Sequence, residues 1–420
     1  MSTTKYHRPD DRSAFHIAII CALRIESDAV EVLFDEFWED EEQYGKAPGD
    51  PNSYTLGRIG QHNVVLAYMP GMGRGAAAGV AAGFRSSFAC VRLGLVVGIC
   101  GGVPHGATHG GEILLGDVVV STGVVQFDFG RQFSDRVIRK DTLQDNLGRP
   151  NPEIRSFLNK MQGWRARTAL RERISEYVAE ICNKEGFQGS RYPGLYEDKL
   201  YEATYRHKHQ DPTVCTICAQ CVSETDAVCG TAPNSSCAQL QCSDSQLVTR
   251  NRLEQLRQIP LTTDQAKEAL KPAIHFGLMA SGDFVMKSGP HRDRIAAEED
   301  AIAFEMEGAG VWDTFPTVVI KGVCDYADSH KNKKWQAYAA ATAAACAKAF
   351  LKEWRGFDQA SSAATPSHDT GERQNVETGR QRSEPEQAQQ SNKFSGTFTS
   401  GGAMFINDTI NSGGGSIYIG

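Results

Sequence analysis

The sequence predicts an α/β domain of three α/β/α layers around a central mixed sheet, with a Cys-rich insertion and a disordered C-terminal tail. Three observations predict it. Short, continuously apolar runs recur through residues 15–354; helix-like segments or glycine turns separate them; and an alanine-rich stretch closes the region. Strands buried on both faces read as unbroken apolar runs, and the helices between them cover those faces.

In order, "FHIAIICAL" reads as a strand and "RIESDAVEVLFDEF" as a helix of period 3.6. "NVVLAYMP" is a second strand, "GMGRGAAAGVAAGFRSSF" a glycine turn leading into a helix, and "LGLVVGICGG" a third strand. "GDVVVSTGVVQFD", "AIHFGLMASGD" and "PTVVIKGVCD" follow as strands, and "WQAYAAATAAACAKAFLKEW" is the closing helix. Residues 131–270 interrupt the rhythm with a polar insertion, helical at "RTALRERISEYVAEICNKE". Residues 1–14 are polar and expected to be disordered; 355–391 read as a disordered linker, rich in Ser, Gln, Glu and Thr and unable to build a core. The last block, 392–420, is glycine-rich but regains β-branched and aromatic residues.

The chain has 420 residues, 44 basic against 51 acidic side chains and a net charge of −7, which argues against a nucleic-acid or anionic-membrane partner. No apolar h-region follows the polar start, and no apolar run reaches the ~18 residues a bilayer span needs. A soluble, cytoplasmic protein is expected. Of 12 cysteines, Cys21, Cys90, Cys100, Cys182, Cys324 and Cys346 are scattered, mostly in apolar segments, and read as small core residues. Cys215, Cys218, Cys221, Cys229, Cys237 and Cys242 crowd one Cys-rich stretch, 207–242, behind His207 and His209. Their C-x2-C-x2-C spacing suits structural zinc; reduced thiols and local disulfides are the alternatives.

Ligands of α/β sheets collect where strands end. The polar residues at those ends are Glu26, Arg74, Asp283, Glu307 and Asp325. Each alone reads as a cap or salt bridge; their recurrence after apolar strands reads as a site. Gly71, Gly73 and Ala76 fit GxGxxA, but no acidic residue ends the next strand, so a nicotinamide site is rejected. That turn forms either an anion nest beside Arg74 or a plain tight turn.

"IAIICALRIESDA", "LVVGICGG", "GDVVVS", "MASGD", "FEMEGAG" and "CDYAD" resemble, in order and spacing, the nucleoside phosphorylase and hydrolase superfamily over about residues 15–130 and 270–354. The most specific feature is Glu-Met-Glu with a strand-end Asp 18 residues after its second Glu. "IKGVCDYADSHKNKKWQAYAAATAAACAKAFL" is similar to the closing segment of fungal phosphorylase-like domains attached to immune receptors and short effectors. The resemblance implies cleavage of a purine N-glycosidic bond through an oxocarbenium-like transition state, without a catalytic cofactor. It makes Met306 and Glu307 the ribose contacts, Glu305 their support, Asp325 the acid that protonates purine N7, and Glu26 the base that activates water. Cys100, Gly101, Phe284 and Val285 fall on its substrate-contacting segments, although relatives often have an aromatic residue where Val285 stands.

Phosphorylases of the superfamily carry an Arg-x-Gly-Ser/Thr pattern after the second strand; here Val96 and Ile99 stand at its Arg and Ser/Thr positions, so a phosphate dianion would lose charge-assisted hydrogen bonds. Hydrolysis is therefore expected, with Arg24 as the residue that keeps phosphorolysis in play and a non-catalytic nucleotide sensor as the competing class. Arg74, Lys287, His291, Arg292 and "YRHKH", with His207 and His209, suit a charged 5′ substituent. That makes ATP, cleaved to adenine and ribose 5′-triphosphate, the expected substrate of an immune effector that assembles as a homo-oligomer. "FSGTF", "SGGAMFI" and "SGGGSIYI" resemble fungal amyloid signalling motifs, which implies a receptor partner for residues 392–420.

Overall fold

The computed structural model describes residues 7–38, 44–105, 111–134, 137–260 and 264–355, the side chains of residues 264 and 266 excepted. The linker beyond residue 355 and the motif at 392–420 lie outside these residues.

The main elements in chain order are β1 (Ile17–Cys21), α1 (Arg24–Glu31), β2 (Glu36–Phe37), β3 (Ser53–Ile59), β4 (His62–Tyr68), α2 (Arg74–Ser87), β5 (Leu93–Gly102) and β6 (Val118–Gln126). After them come α3 (Pro152–Gln162), α4 (Trp164–Cys182), β7 (Ile274–Ser281), α5 (Gly289–Glu299), β8 (Ala301–Glu305), α6 (Gly308–Val311), β9 (Thr317–Asp325) and α7 (Gln336–Glu353). Nine described strands form one sheet in the order β8-β7-β6-β9-β5-β1-β4-β3-β2. β1 runs parallel to β4 and β5, and β9 parallel to β5, while β9–β6 and β3–β4 are antiparallel, so the sheet is mixed. β8 also pairs antiparallel with β5, Ala303 opposite Gly102 and Phe304 opposite Gly101, which folds that end of the sheet back on its middle.

Period-two alternation builds the layers. Ile17, Ile19 and Cys21 face one core with α1, α3, α4 and α7; Ala18 and Ile20 face the other with α2. α7 is buried on nearly every side, which its small alanines allow so close to the sheet. α3 and α4 lie within the stretch set apart as an insertion, yet Ile154, Phe157, Met161, Leu170, Ile174 and Ile181 are in the main core. They are part of the helical layer, and beyond them Phe187 packs against the same core while Leu200 belongs to the other. At the other end, the N-terminal stretch expected to be disordered closes on a 3₁₀ turn over Arg12–Ala14, with Asp11 accepting from the Ser13 amide. No helix among the described residues is long and apolar enough to cross a membrane.

Candidate active site

The C-terminal ends of β1, β5, β8 and β9 open into one cavity of about 590 Å³, whose lining includes Glu26, Cys100, Glu305, Met306, Glu307 and Asp325. That size suits a small organic ligand.

Glu26 is the third residue of α1, and its carboxylate folds back over the helix start. Oε2 accepts from the backbone N–H of Ala22 at 3.0 Å and Leu23 at 2.8 Å, and Oε1 from Ile99 at 2.8 Å. Such an approach needs Gly98, because a Cβ there would sit 2.3 Å from Glu26 Oε1. Burial pushes the Glu26 carboxyl above its ordinary value; the Lys321 ammonium opposes this and Glu307 reinforces it.

Glu305 ends β8 and turns the chain. Its Oε2 accepts from the amides of Glu307 and Gly308, both at 2.9 Å, while Oε1 is buried with no partner among the described residues. Burial raises its proton affinity too, again against Lys321. Glu307 instead forms an ion pair, Lys321 Nζ donating to its Oε2 at 2.8 Å. Lys321 is 1% exposed in mid-strand β9, opposite Gly98. Burial works against its charge, but Glu307, Glu26 and Glu305 together hold it above its ordinary value and protonated. Three acids near apolar strands are thus gathered around one buried ammonium.

Asp325 ends β9. Its Oδ1 accepts from the Ala327 amide at 2.9 Å and lies 3.0 Å from Lys331 Nζ. Gly101 admits this loop, since a Cβ there would meet Ala327 Cβ and Asp325 Oδ1 at 2.9 Å.

Phe284 and Val285 both line the cavity, Phe284 edge-on to Phe127 with centroids 5.1 Å apart. Lys287, Lys331 and Lys333 line it as well. The other expected phosphate ligands are elsewhere. Arg24 is 91% exposed and pairs with Asp28 at 3.4 Å, a helix-surface contact. Arg74 donates its amide to Asp283 Oδ1 at 2.7 Å and pairs with the same carboxylate at 3.4 Å, so the anion at that glycine turn is internal. Arg292 is buried and donates to the Tyr326 carbonyl at 2.9 Å, bracing the Asp325 loop, and His291 Nδ1 lies 2.9 Å from Ser288 Oγ.

His207 and His209 belong to the cysteine stretch, which divides in two. His209, Cys215, Cys218 and Cys229 form one group and His207, Cys237 and Cys242 another, each with ligand atoms within 4.8 Å of one another. Cys221 joins neither; its thiol faces the Asp226 carbonyl at 3.7 Å. The chain between the groups, Pro233–Ser236, lines the active cavity. Ahead of the cysteine stretch, Asp198 accepts from Tyr326 Oη at 2.6 Å and from the Leu115 amide at 3.0 Å, tying the loop after Asp325 to the chain that leads into that stretch.

Sequence reasoning missed Lys321, Lys331, Lys333 and the Pro233–Ser236 wall. A lysine inside the apolar run "VVIKGV" was the available signal for the first, since it needs a buried counter-charge. Nothing local marked the wall.

Residues 16–181 match the family model described as Phosphorylase superfamily. The chain is 32% identical over 343 residues to a nucleotide-binding leucine-rich repeat (NLR)-like protein of Hyaloscypha variabilis, an alignment covering 80% of this chain and 29% of that one. The chain therefore spans under a third of that relative's length. Among solved structures it is similar to the 5′-methylthioadenosine-bound MTAN-D198N mutant of Helicobacter pylori, at 15% identity, 81% and 99% coverage of the two chains and a TM-score of 0.46. It is also similar to futalosine hydrolase of Helicobacter pylori, at 16% identity, 81% and 99% coverage and a TM-score of 0.45. Residues 16–181, which include β1, β5 and β6 and so Glu26 and Cys100 of the cavity, are thus similar to the Phosphorylase superfamily.

Proposed function

We propose that the domain is a purine N-ribohydrolase. The observation that carries the reading is the convergence of Glu26, the Glu307–Lys321 pair and Asp325 on one cavity. Glu307, held by Lys321, accepts from the ribose hydroxyls and stabilises the developing oxocarbenium charge. Glu26 keeps one acceptor site on Oε1 beyond its three backbone donors, and its raised proton affinity suits a base that takes a proton from water. Asp325 protonates the purine, so the base departs neutral. Glu305 positions the Glu-Met-Glu turn through two amides. No arginine among the described residues lines the cavity, which favours water over phosphate as nucleophile.

The substrate we assign is ATP, cleaved to adenine and ribose 5′-triphosphate. Lys287, Lys331 and Lys333 supply the cationic side of the cavity for a 5′-phosphate chain. The NLR-like name of the fungal relative supports a role as a cytoplasmic immune effector, with residues 392–420 recruiting a receptor.

Product analysis with adenosine, AMP and ATP, each with and without phosphate, tests the reading. Adenine should appear in phosphate-free buffer, fastest from ATP. Strict dependence on phosphate with ribose 1-phosphate as product would assign a phosphorylase, and ligand binding without turnover a sensor.

A further inference from the structure

We propose that the Cys-rich stretch is a binuclear zinc module whose second ion anchors one wall of the cavity; the wall rests on the nucleoside-site reading, the zinc content does not. Tetrahedral zinc with Zn–S of about 2.3 Å and Zn–N of about 2.1 Å sets its nitrogen and sulfur ligands about 3.6 Å apart. His209 Nδ1 lies 3.6 Å from Cys218 Sγ and 3.5 Å from Cys229 Sγ, and Cys215 completes a four-ligand set. In the second group His207 Nδ1 is 3.8 Å from both Cys237 Sγ and Cys242 Sγ, with a water molecule left to fill the fourth position. All six cysteines are free thiols. Imidazole plus thiolates in this geometry selects zinc over harder cations.

A separate observation points the same way. The other ring nitrogen of His207, Nε2, lies 2.9 Å from the Ser235 carbonyl, and because a carbonyl only accepts, Nε2 carries the proton. The Nδ1 lone pair then faces the two thiols, the arrangement that metal-bound imidazoles adopt. The module also needs a cross-link, since its own apolar cluster contains only four buried residues, Cys218, Cys229, Ala232 and Leu240.

The position of these ligands gives the metals their consequence. Cys229 and Cys237 bracket the chain that lines the cavity, and Ser235, the partner of His207, lies on that wall. One ion fixes each end of the wall. The second group also packs against the loop after Asp325, with the His207 and His330 rings 5.0 Å apart.

The full chain, purified under reducing conditions, should contain about two zinc ions by mass spectrometry of the metal. His209→Ala and His207→Ala should each lower this to about one, and cobalt substitution should give tetrahedral d–d bands with thiolate charge-transfer absorption in the unaltered protein. His207→Ala should also raise KM for ATP about tenfold, with kcat much less changed. Less than one zinc per chain, or disulfides among these cysteines in the cobalt-free protein, would overturn the module. Loss of one ion with an unchanged KM in His207→Ala would overturn the wall. If no nucleoside is turned over, or if His207→Ala does not fold, Cys242→Ser and protease cleavage between residues 229 and 237 replace KM: faster cleavage on losing one zinc supports the wall, and unchanged cleavage removes it.

Discussion

The acids around Lys321 and the thiols around His207 and His209 are two ways of holding polar groups together, and they differ in what encloses them. Around Lys321 the enclosure is the sheet: the neighbouring strands are apolar and largely buried, and backbone amides satisfy both oxygens of Glu26 and one of Glu305. Around the histidines the enclosure is thinner, two short helices, Thr216–Gln220 and Cys237–Leu240, and side-chain-to-carbonyl bonds such as Lys208 Nζ to the Cys218 and Cys221 carbonyls at 2.8 and 2.5 Å. A cluster inside a large core can rely on burial, whereas a cluster in a small module must be closed by its own ligands.

The comparison breaks most severely at Lys321. Lys321→Met leaves buried acids without their cation and should cost about 3–5 kcal/mol at neutral pH, measured by urea unfolding. Glu26 and Glu305 have folded values above their ordinary 4.5, so their charged forms cost stability only as pH rises past that value. The variant's deficit should therefore grow as pH increases from about 4.5 and shrink in acid. A loss under 1 kcal/mol would show that the acids do not need the ammonium.

Next in size is the chemistry. Glu26→Gln and Asp325→Asn should each lower kcat about 10²-fold or more while the fold persists by circular dichroism. In the unaltered protein the acid limb of the rate profile should lie above the ordinary Glu range, because the buried base must lose its proton to act. Near-normal turnover in either variant would remove that residue from the reaction.

A smaller effect separates structural from catalytic acids on the same loop. Asp328 is buried, accepts from the His330 amide at 2.9 Å, and burial raises it to about 6 from 3.8, the Arg292 guanidinium opposing. Its charge costs stability once pH climbs through about 4 to 6, so Asp328→Asn should flatten the stability profile there and add about 1–3 kcal/mol at pH 7. A steeper profile in the variant would place the cost on another group.

The smallest effect sharpens the contrast between cysteines. Cys346, buried in α7, is a packing residue, so Cys346→Ala should cost about 1 kcal/mol whether or not a chelator is present. Chelator-dependent loss in that variant, by thermal melting, would blur the division.

The fold was legible where burial wrote it into composition. β1 and β5 are buried on both faces and appear as unbroken apolar runs, and β9 as a run broken only in mid-strand by Lys321, while β3, "SYTLGRI", has polar and half-buried positions and β8, "AIAFE", is short and ends on an acid. Neither was picked out as a strand. The helicity around residues 164–182 was visible, but membership in the main core depends on long-range contacts that no local pattern records. At the site, Glu26, Met306, Glu307 and Asp325 could be named because they stand at strand ends in a recognisable order. The pairing of Arg74 could not be read that way, since Asp283 lies 209 residues further on, whereas the Arg24–Asp28 pair has the i,i+4 spacing of the helix the sequence already showed.

The fold-back of β8 onto β5 has a consequence for how the domain meets other chains. A strand at the end of a sheet normally offers unpaired amides and carbonyls as a template for addition. β8 is last in the sheet, yet Ala303 and Phe304 are paired with β7 on one side and β5 on the other. The remaining outer strand of the sheet, β2, is only two residues long. β2 covers only Gly57 and Arg58 of β3, so the two ends differ: at the β8 end the ladder of Ala303 and Phe304 is used on both sides, a local protection against edge-to-edge addition built from the same pairing that brings Glu305 and Glu307 to the cavity.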